Sequence, residues 1–139
     1  MKNMHIGYKK IQDDFIVKLR IDGLNNERRN NVKHSMTAKH RCSSAFVLDI
    51  YKFVNGEKVN SNEGFGLRDK TFIYKVGEKV EVGDYNQDIN EVCTTGIHYF
   101  LSEEPAFFYN MSIKGYTGVY KEWNDNGQLV GRYTYKMVC

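Results

Sequence analysis

Two histidines and two cysteines are the residues of this sequence best suited to metal chemistry. His40 and Cys42 stand two apart and Cys93 and His98 five apart, and imidazole and thiolate are the donors that zinc prefers. Together they would supply four ligands, but neither spacing matches the short knuckles of common zinc folds. The expectation is no metal and no other cofactor, with Cys42 and Cys93 packed as small apolar side chains and His98 hydrogen-bonded in a sheet. A nucleophilic Cys93 working with His98 would need the chain to double back, and no orienting acid or oxyanion hole lies beside them. Phosphate-loop, deaminase and zinc-protease signatures are absent. Glu103-Glu104 falls where a helix would begin, and Asp13-Asp14 falls in a turn, so neither carboxylate pair demands a chemical role.

Charge is a second source of chemistry. The 139-residue chain carries a formal +3, yet Arg28, Arg29, Lys33, Lys39 and Arg41 follow one another, with His34 and His40, and no acid interrupts them. Such a run reads either as a solvated loop or as a surface for anions. Guanidinium and ammonium groups pair with phosphates, and rings stack on bases. Arg28, Arg29, Lys39, Arg41, His98 and Tyr99 are therefore the candidate ligand-binding residues. A dedicated nucleic-acid binder is less favoured, because a pI near 8.7 is modest for one.

The elements that must hold these residues are mostly strands. HIGYKKI (5–11) and FIVKLRI (15–21) alternate apolar with polar across the turn Gln12-Asp13-Asp14, and Phe15, Val17, Leu19 and Ile21 would share one face. AFVLDIYKFV (45–54) ends at Asn55-Gly56, a strong hairpin signal, with Glu57 to Val59 starting the return. TFIYKV (71–76) and KVEV (79–82) flank a turn at Gly77-Glu78. GIHYFL (96–101) is another strand and runs into SEEPAFFYNM, a short helix near 102–110 with Ser102 in the capping position. GVYKEW (118–123) and QLVGRYTYK (128–136) form a C-terminal hairpin about Asn124-Asp125-Asn126-Gly127. The fold class is α+β: mainly antiparallel sheet, one or two short helices and the terminal hairpin. An isolated hairpin is marginal in water, so residues 113–139 must pack on the domain at 1–112 or on a partner subunit, in a single compact unit.

Two resemblances attach to these blocks. The last stretch, with Gly118, Tyr120, Trp123, Asn126-Gly127-Gln128-Leu129 and a late aromatic at Tyr133 or Tyr135, resembles one unit of the variant MORN-type repeat. Such units normally stack in arrays, and the single copy here departs from that pattern. The resemblance implies a β-hairpin in which Tyr120, Trp123 and Tyr133 cap the preceding sheet or pair two subunits. The longer resemblance runs from Phe15 to Tyr109 and rests on Tyr74 to Gly77 (YKVG), on Cys93-x-x-Gly96-Ile97-His98-Tyr99-Phe100, and on the following Ala106 and Tyr109. It is similar to an uncharacterised domain of phage and giant-virus proteins and implies a viral origin and a compact interaction module.

The resulting expectation is a non-catalytic viral binding protein in the host cytosol. It would capture a host protein or a small anionic ligand, such as a nucleotide signal used in defence. The odd number of cysteines and the absence of a signal-peptide core or membrane span agree with that compartment. The first alternative is an assembly module forming homo-oligomers through the terminal hairpin. The second is an enzyme, zinc-dependent or resembling ADP-ribosyltransferases in its strand-then-helix block GIHYFLSEEPAFFY, where Arg20 and Glu122 fall in usable order.

Overall fold

The two alternating runs at the start of the chain fold back on each other. In a computed structural model, which describes residues 4–111 and 119–131, Ile6–Lys10 (β1) pairs antiparallel with Ile16–Asn25 (β2). A turn of 3-10 helix at Gln12–Asp14 reverses the chain, with Asp13 and Asp14 at φ of 53° and 62°, a conformation that short polar residues tolerate. Val17, Leu19 and Ile21 are buried on the inner face, as their alternation requires. Phe15 precedes the strand and only flanks that core.

The spine of the sheet is His40–Val54 (β3). One of its edges is paired with β2 along most of its length. Its other edge takes three short strands in succession: Ile97–Tyr99 (β8), Lys79–Glu81 (β7) and Glu57–Asn60 (β4). The sequence pattern places the start of this strand at 45, and it begins at 40 instead. Polar residues 40–44 carry no alternation of their own, but ladder partners on both sides hold them extended: Asn25 faces Cys42, and His40 faces Tyr99. The end of the basic run is thus sheet rather than loop.

The hairpin at Asn55-Gly56 forms as expected, with both residues at positive φ, 52° and 80°. The turn at Gly77 also forms, with Glu78 N–H donating to Lys75 O at 3.0 Å. The strands on either side of it do not pair with each other, however. Ile73–Lys75 (β6) pairs with Glu63–Phe65 (β5), while β7 crosses to β3.

After β8, Phe100 and Tyr8 exchange two backbone hydrogen bonds of 2.8 Å each. β1, β2, β3 and β8 therefore close into a ring around Val17, Leu19, Ala45, Val47, Ile97 and Tyr99. Closure brings β1 so near β8 that a Cβ on Gly7 would lie 2.7 Å from the Tyr99 ring. Fully burying each of the larger apolar side chains contributes about 1.5–3 kcal/mol.

Glu103–Phe108 (α1) follows. Ser102 occupies the expected N-cap position but does not cap; its hydroxyl donates to Met36 O at 2.5 Å. Glu122–Trp123 (β9) and Leu129–Gly131 (β10) form the core of the terminal hairpin. Tyr120 and Trp123 bury their rings against Phe108 and Met111. Gly118, Tyr133 and Tyr135 lie outside the described residues. The described fold is thus β-rich and antiparallel with one α-helix, and none of its helices is long and apolar enough to cross a membrane.

Candidate functional site

The basic run wraps around the hairpin turn of its own chain. Asn126 O accepts from the Lys33 and His34 amides at 2.9 and 3.1 Å, and Asp125 O accepts from the Lys39 amide at 3.2 Å. Thr37 Oγ1 donates to Gly127 O at 2.5 Å. Gly127 has φ of 93°, and a Cβ there would sit 2.0 Å from His34 O. Only glycine fits both the turn and the close approach.

Arg29 and Arg41, expected to meet a ligand, point into the protein. Arg41 is fully buried. Its Nε donates to Glu91 O at 2.9 Å, Nη1 to Asn86 O at 2.5 Å and Thr95 O at 3.2 Å, and Nη2 to Asp88 O at 2.6 Å. The guanidinium also stacks on Tyr85, 4.6 Å from the ring centre. It fastens the loop of residues 84–96 to the outside of the sheet. Arg29 donates to Lys39 O at 2.8 Å and Asp125 O at 2.7 Å, and its Nη1 lies 3.0 Å from His40 Nδ1. Arg28 is exposed on the surface.

Two histidines, His40 and His98, are held below the usual imidazole range. His40 Nε2 lies 2.8 Å from Ser35 O and must donate to it, which leaves Nδ1 to accept from Arg29. Burial and the neighbouring arginine lower its proton affinity. His98 donates from Nε2 to Val92 O at 2.8 Å, and burial, with Lys9 nearby, holds its pKa down to about 3. Burial pushes the Cys42 thiol up to about 12, so no thiolate forms at neutral pH. Cys93, expected to pack as a small apolar side chain, is instead exposed and disulfide-bonded and so offers no thiolate, and among the described residues no cluster of three or more His, Cys, Asp or Glu side chains is placed to hold a metal. Tyr99 donates its hydroxyl to Glu27, which also pairs with His5 at 2.6 Å.

Lys39 and His98 instead line a cavity of about 1010 Å³, together with Lys9, Arg68, Phe72, Tyr74 and Tyr109. Lys9 faces Val17 across the β1–β2 ladder, so its side chain lies on the core side of the strand. No hydrogen bond or ion pair to its ammonium is found among the described residues, and burial, with repulsion from Lys39 and Arg68, lowers its pKa to about 8. Lys39 Nζ donates to Tyr109 Oη at 3.0 Å and is likewise brought down to about 8, chiefly by burial. Tyr109 also makes a side-chain hydrogen bond with Arg68. Lys10 lines the same cavity, but its ammonium is answered by Asp14 at 3.3 Å and Phe107 O at 2.6 Å. Asp69 is the one acid among the described lining residues, and its carboxylate accepts from the Thr71 amide and hydroxyl. Lys9 and Arg68 escaped the sequence reading, since neither belongs to the basic run.

The residues considered for transferase chemistry are separately committed. Arg20 pairs with Asp22 at 3.2 Å and stacks on Phe46, whereas Glu122 is buried beside the α1 aromatic cluster. Tyr120 and Trp123, the candidates for self-association, are turned toward α1 rather than outward. Comparison with curated proteins and with solved structures gives no match. Residues 1–106, which end within α1, match the model of a family of unknown function (DUF5758), and the chain belongs to that family.

Proposed function

We propose that this chain is a non-catalytic binding protein that takes a small anionic ligand into the cavity beside β1. The observation that carries this reading is Lys9: an ammonium turned inward, near two other cations, with no carboxylate set against it among the described residues. Taking a charge out of water is costly unless a partner answers it, and the chain answers Arg29, Arg41 and Lys10 from its own atoms. A cavity of this size falls at the upper end of the range for small-molecule sites. With the viral origin implied by the resemblance, the ligand would be a host small molecule sequestered in the host cytosol. The assembly reading has less support, because Tyr120 and Trp123 are spent within the chain.

The test is a thermal-shift screen of small anions, nucleotides among them, on the wild type and on Lys9→Met. Stabilisation that grows with ligand concentration and disappears in Lys9→Met supports the proposal. A panel that leaves wild-type melting unchanged sinks it.

A further inference from the structure

The cavity beside β1 also holds a nucleophile. We infer that the Lys9 amine captures a small aldehyde there as a reversible imine, with Lys39 giving the proton that releases water and Phe72 and Tyr74 walling the ligand. This goes beyond the anion reading above, because an imine needs the unprotonated amine and no negative charge on the ligand.

The sheet places the amine. Lys9 stands opposite Val17 in the β1–β2 ladder, and Val17 is a buried core residue. Its side chain therefore lies on the core side of the strand, where it lines the cavity and is half-buried rather than sealed. Lys39 just before β3, Cys42 within β3 and Arg68 after β5 all act on its charge, and His98 of β8 in turn feels the charge of Lys9. Burial, with the two cations, brings the Lys9 pKa down to about 8. At neutral pH roughly a tenth of the molecules then carry a free amine, on the order of a hundredfold more than at an ordinary lysine.

Neighbouring nucleophiles are withdrawn. The Cys42 thiol is pushed up to about 12, and Cys93 is disulfide-bonded. Lys10 is held as an ammonium by Asp14 and Phe107 O. Lys39 also holds its proton weakly, but its Nζ donates to Tyr109 Oη at 3.0 Å and lies over the Tyr109 ring. Two such groups side by side divide the work: one attacks while the other keeps a proton to give. The Nζ lone pair of Lys9 forms the N–C bond, and the carbonyl π pair goes to oxygen. One amine proton passes to that oxygen, giving a carbinolamine. Lys39 then protonates the hydroxyl, the C–O bond breaks, and water leaves as the nitrogen lone pair makes the C=N bond. Hydrolysis reverses the sequence, and no oxidant or reductant takes part. Phe72 and Tyr74, 5.1 Å apart, with Ile97 and Phe100, give the cavity an apolar wall that keeps water from the C=N bond.

The experiment exposes the protein to salicylaldehyde with sodium cyanoborohydride, which reduces any imine to a stable amine, and maps the labelled peptides by mass spectrometry. At pH 7.5 Lys9 should be labelled at least tenfold faster than the exposed Lys70. From pH 6 to 10 its rate should rise with a midpoint near 8 and then level off. Lys39→Met, which removes a repelling charge and the proton donor, should move that midpoint upward and slow the capture. Lys9→Arg keeps the positive charge but forms no imine, so it should lose the adduct while still binding small anions. Labelling of Lys9 no faster than Lys70 overturns the inference. So does label confined to Lys39 or to the α-amine of the chain, or a Lys9 rate still climbing at pH 10. Those outcomes need no variant, and they leave the anion reading standing because it uses the ammonium. Loss of anion binding in wild type with capture at Lys9 intact sinks the anion reading instead.

Discussion

Arg41 and Lys9 are both cations turned into the molecule from strands of the same sheet, and they are treated in opposite ways. Around Arg41 the loop of residues 84–96 turns its carbonyls inward, so that Asn86, Asp88, Glu91 and Thr95 all accept from one guanidinium. Around Lys9 the neighbours are Lys39 and Arg68, which repel it. A planar fork with five donors can organise a loop. An ammonium with no acceptor among the described residues organises nothing there and costs stability. The arginine is therefore a structural strut, and the lysine a charge that the described residues leave unanswered. Arg29, His40 and Arg41 of the basic run are internal scaffolding, while the cation that lines the cavity without a partner among the described residues comes from the first strand.

The contrast is broken most severely at the strut. Arg41→Met leaves several carbonyls without donors and loosens the loop that carries Thr94 to Gly96, part of the cavity wall, although the disulfide at Cys93 still tethers it. Loss of about 3–5 kcal/mol is expected, read as a lower urea midpoint. Arg41→Lys should recover only part, since one ammonium cannot reach all four carbonyls. If Arg41→Met unfolds at the wild-type midpoint, the strut assignment is wrong.

Next comes the clamp between the basic run and the hairpin turn. Gly127→Ala forces a side chain into a left-handed backbone and against His34 O. About 2–3 kcal/mol should be lost, with faster hydrogen exchange at the Lys33 and His34 amides that now donate to Asn126 O. Unchanged exchange at those amides would show that the turn does not hold the run in place.

Much of this was legible in the sequence, and the misses have physical causes. Alternation fixed the inner row of β2, and Asn55-Gly56 fixed its hairpin, because both signals are local. β6 and β7 flank a turn that the local sequence marks, but their partners lie in other strands that no local pattern can name. The basic run looked like a surface because charge is usually solvated; only the ladder partners of His40 and Arg41 reveal that it ends in the sheet. Lys9 was hidden by phase. Ile6, Tyr8 and Lys10 make one row of β1, and Gly7, Lys9 and Ile11 the other, so each row carries one lysine. Pairing with Val17 decides which lysine shares the face of the buried row.

At Lys9 the expected sign is opposite to that at Arg41. Lys9→Met removes an unanswered charge and should raise stability at pH 7 by about 1 kcal/mol, a modest figure because the ammonium is partly open to water. The folded protein releases the Lys9 proton near pH 8 and the unfolded chain near 10.5. Between those values the unfolded state binds more protons, so wild-type stability rises with pH across that window. Lys39 contributes in the same direction. Lys9→Met should therefore flatten the rise, and its advantage over wild type should vanish by pH 10.5. Urea midpoints measured at pH 7, 8.5 and 10 would reveal an undiminished slope if Lys9 carries its proton as an ordinary lysine does.

The smallest effect is expected at Arg28, the most conspicuous cation of the run that remains exposed. Arg28→Ala removes charge from the surface without opening a cavity or stranding a carbonyl, so stability should move by less than about 0.5 kcal/mol. The same substitution discriminates between two places where an anion could be held. If the ligand sits on the run, as its charge density suggests, losing Arg28 weakens binding and flattens its dependence on salt. If it sits in the cavity among Lys9, Lys39 and Arg68, Arg28→Ala binds as wild type does, and only a small screened change in association rate remains. A large loss of affinity in Arg28→Ala with none in Lys9→Met would reverse the roles assigned to the two regions.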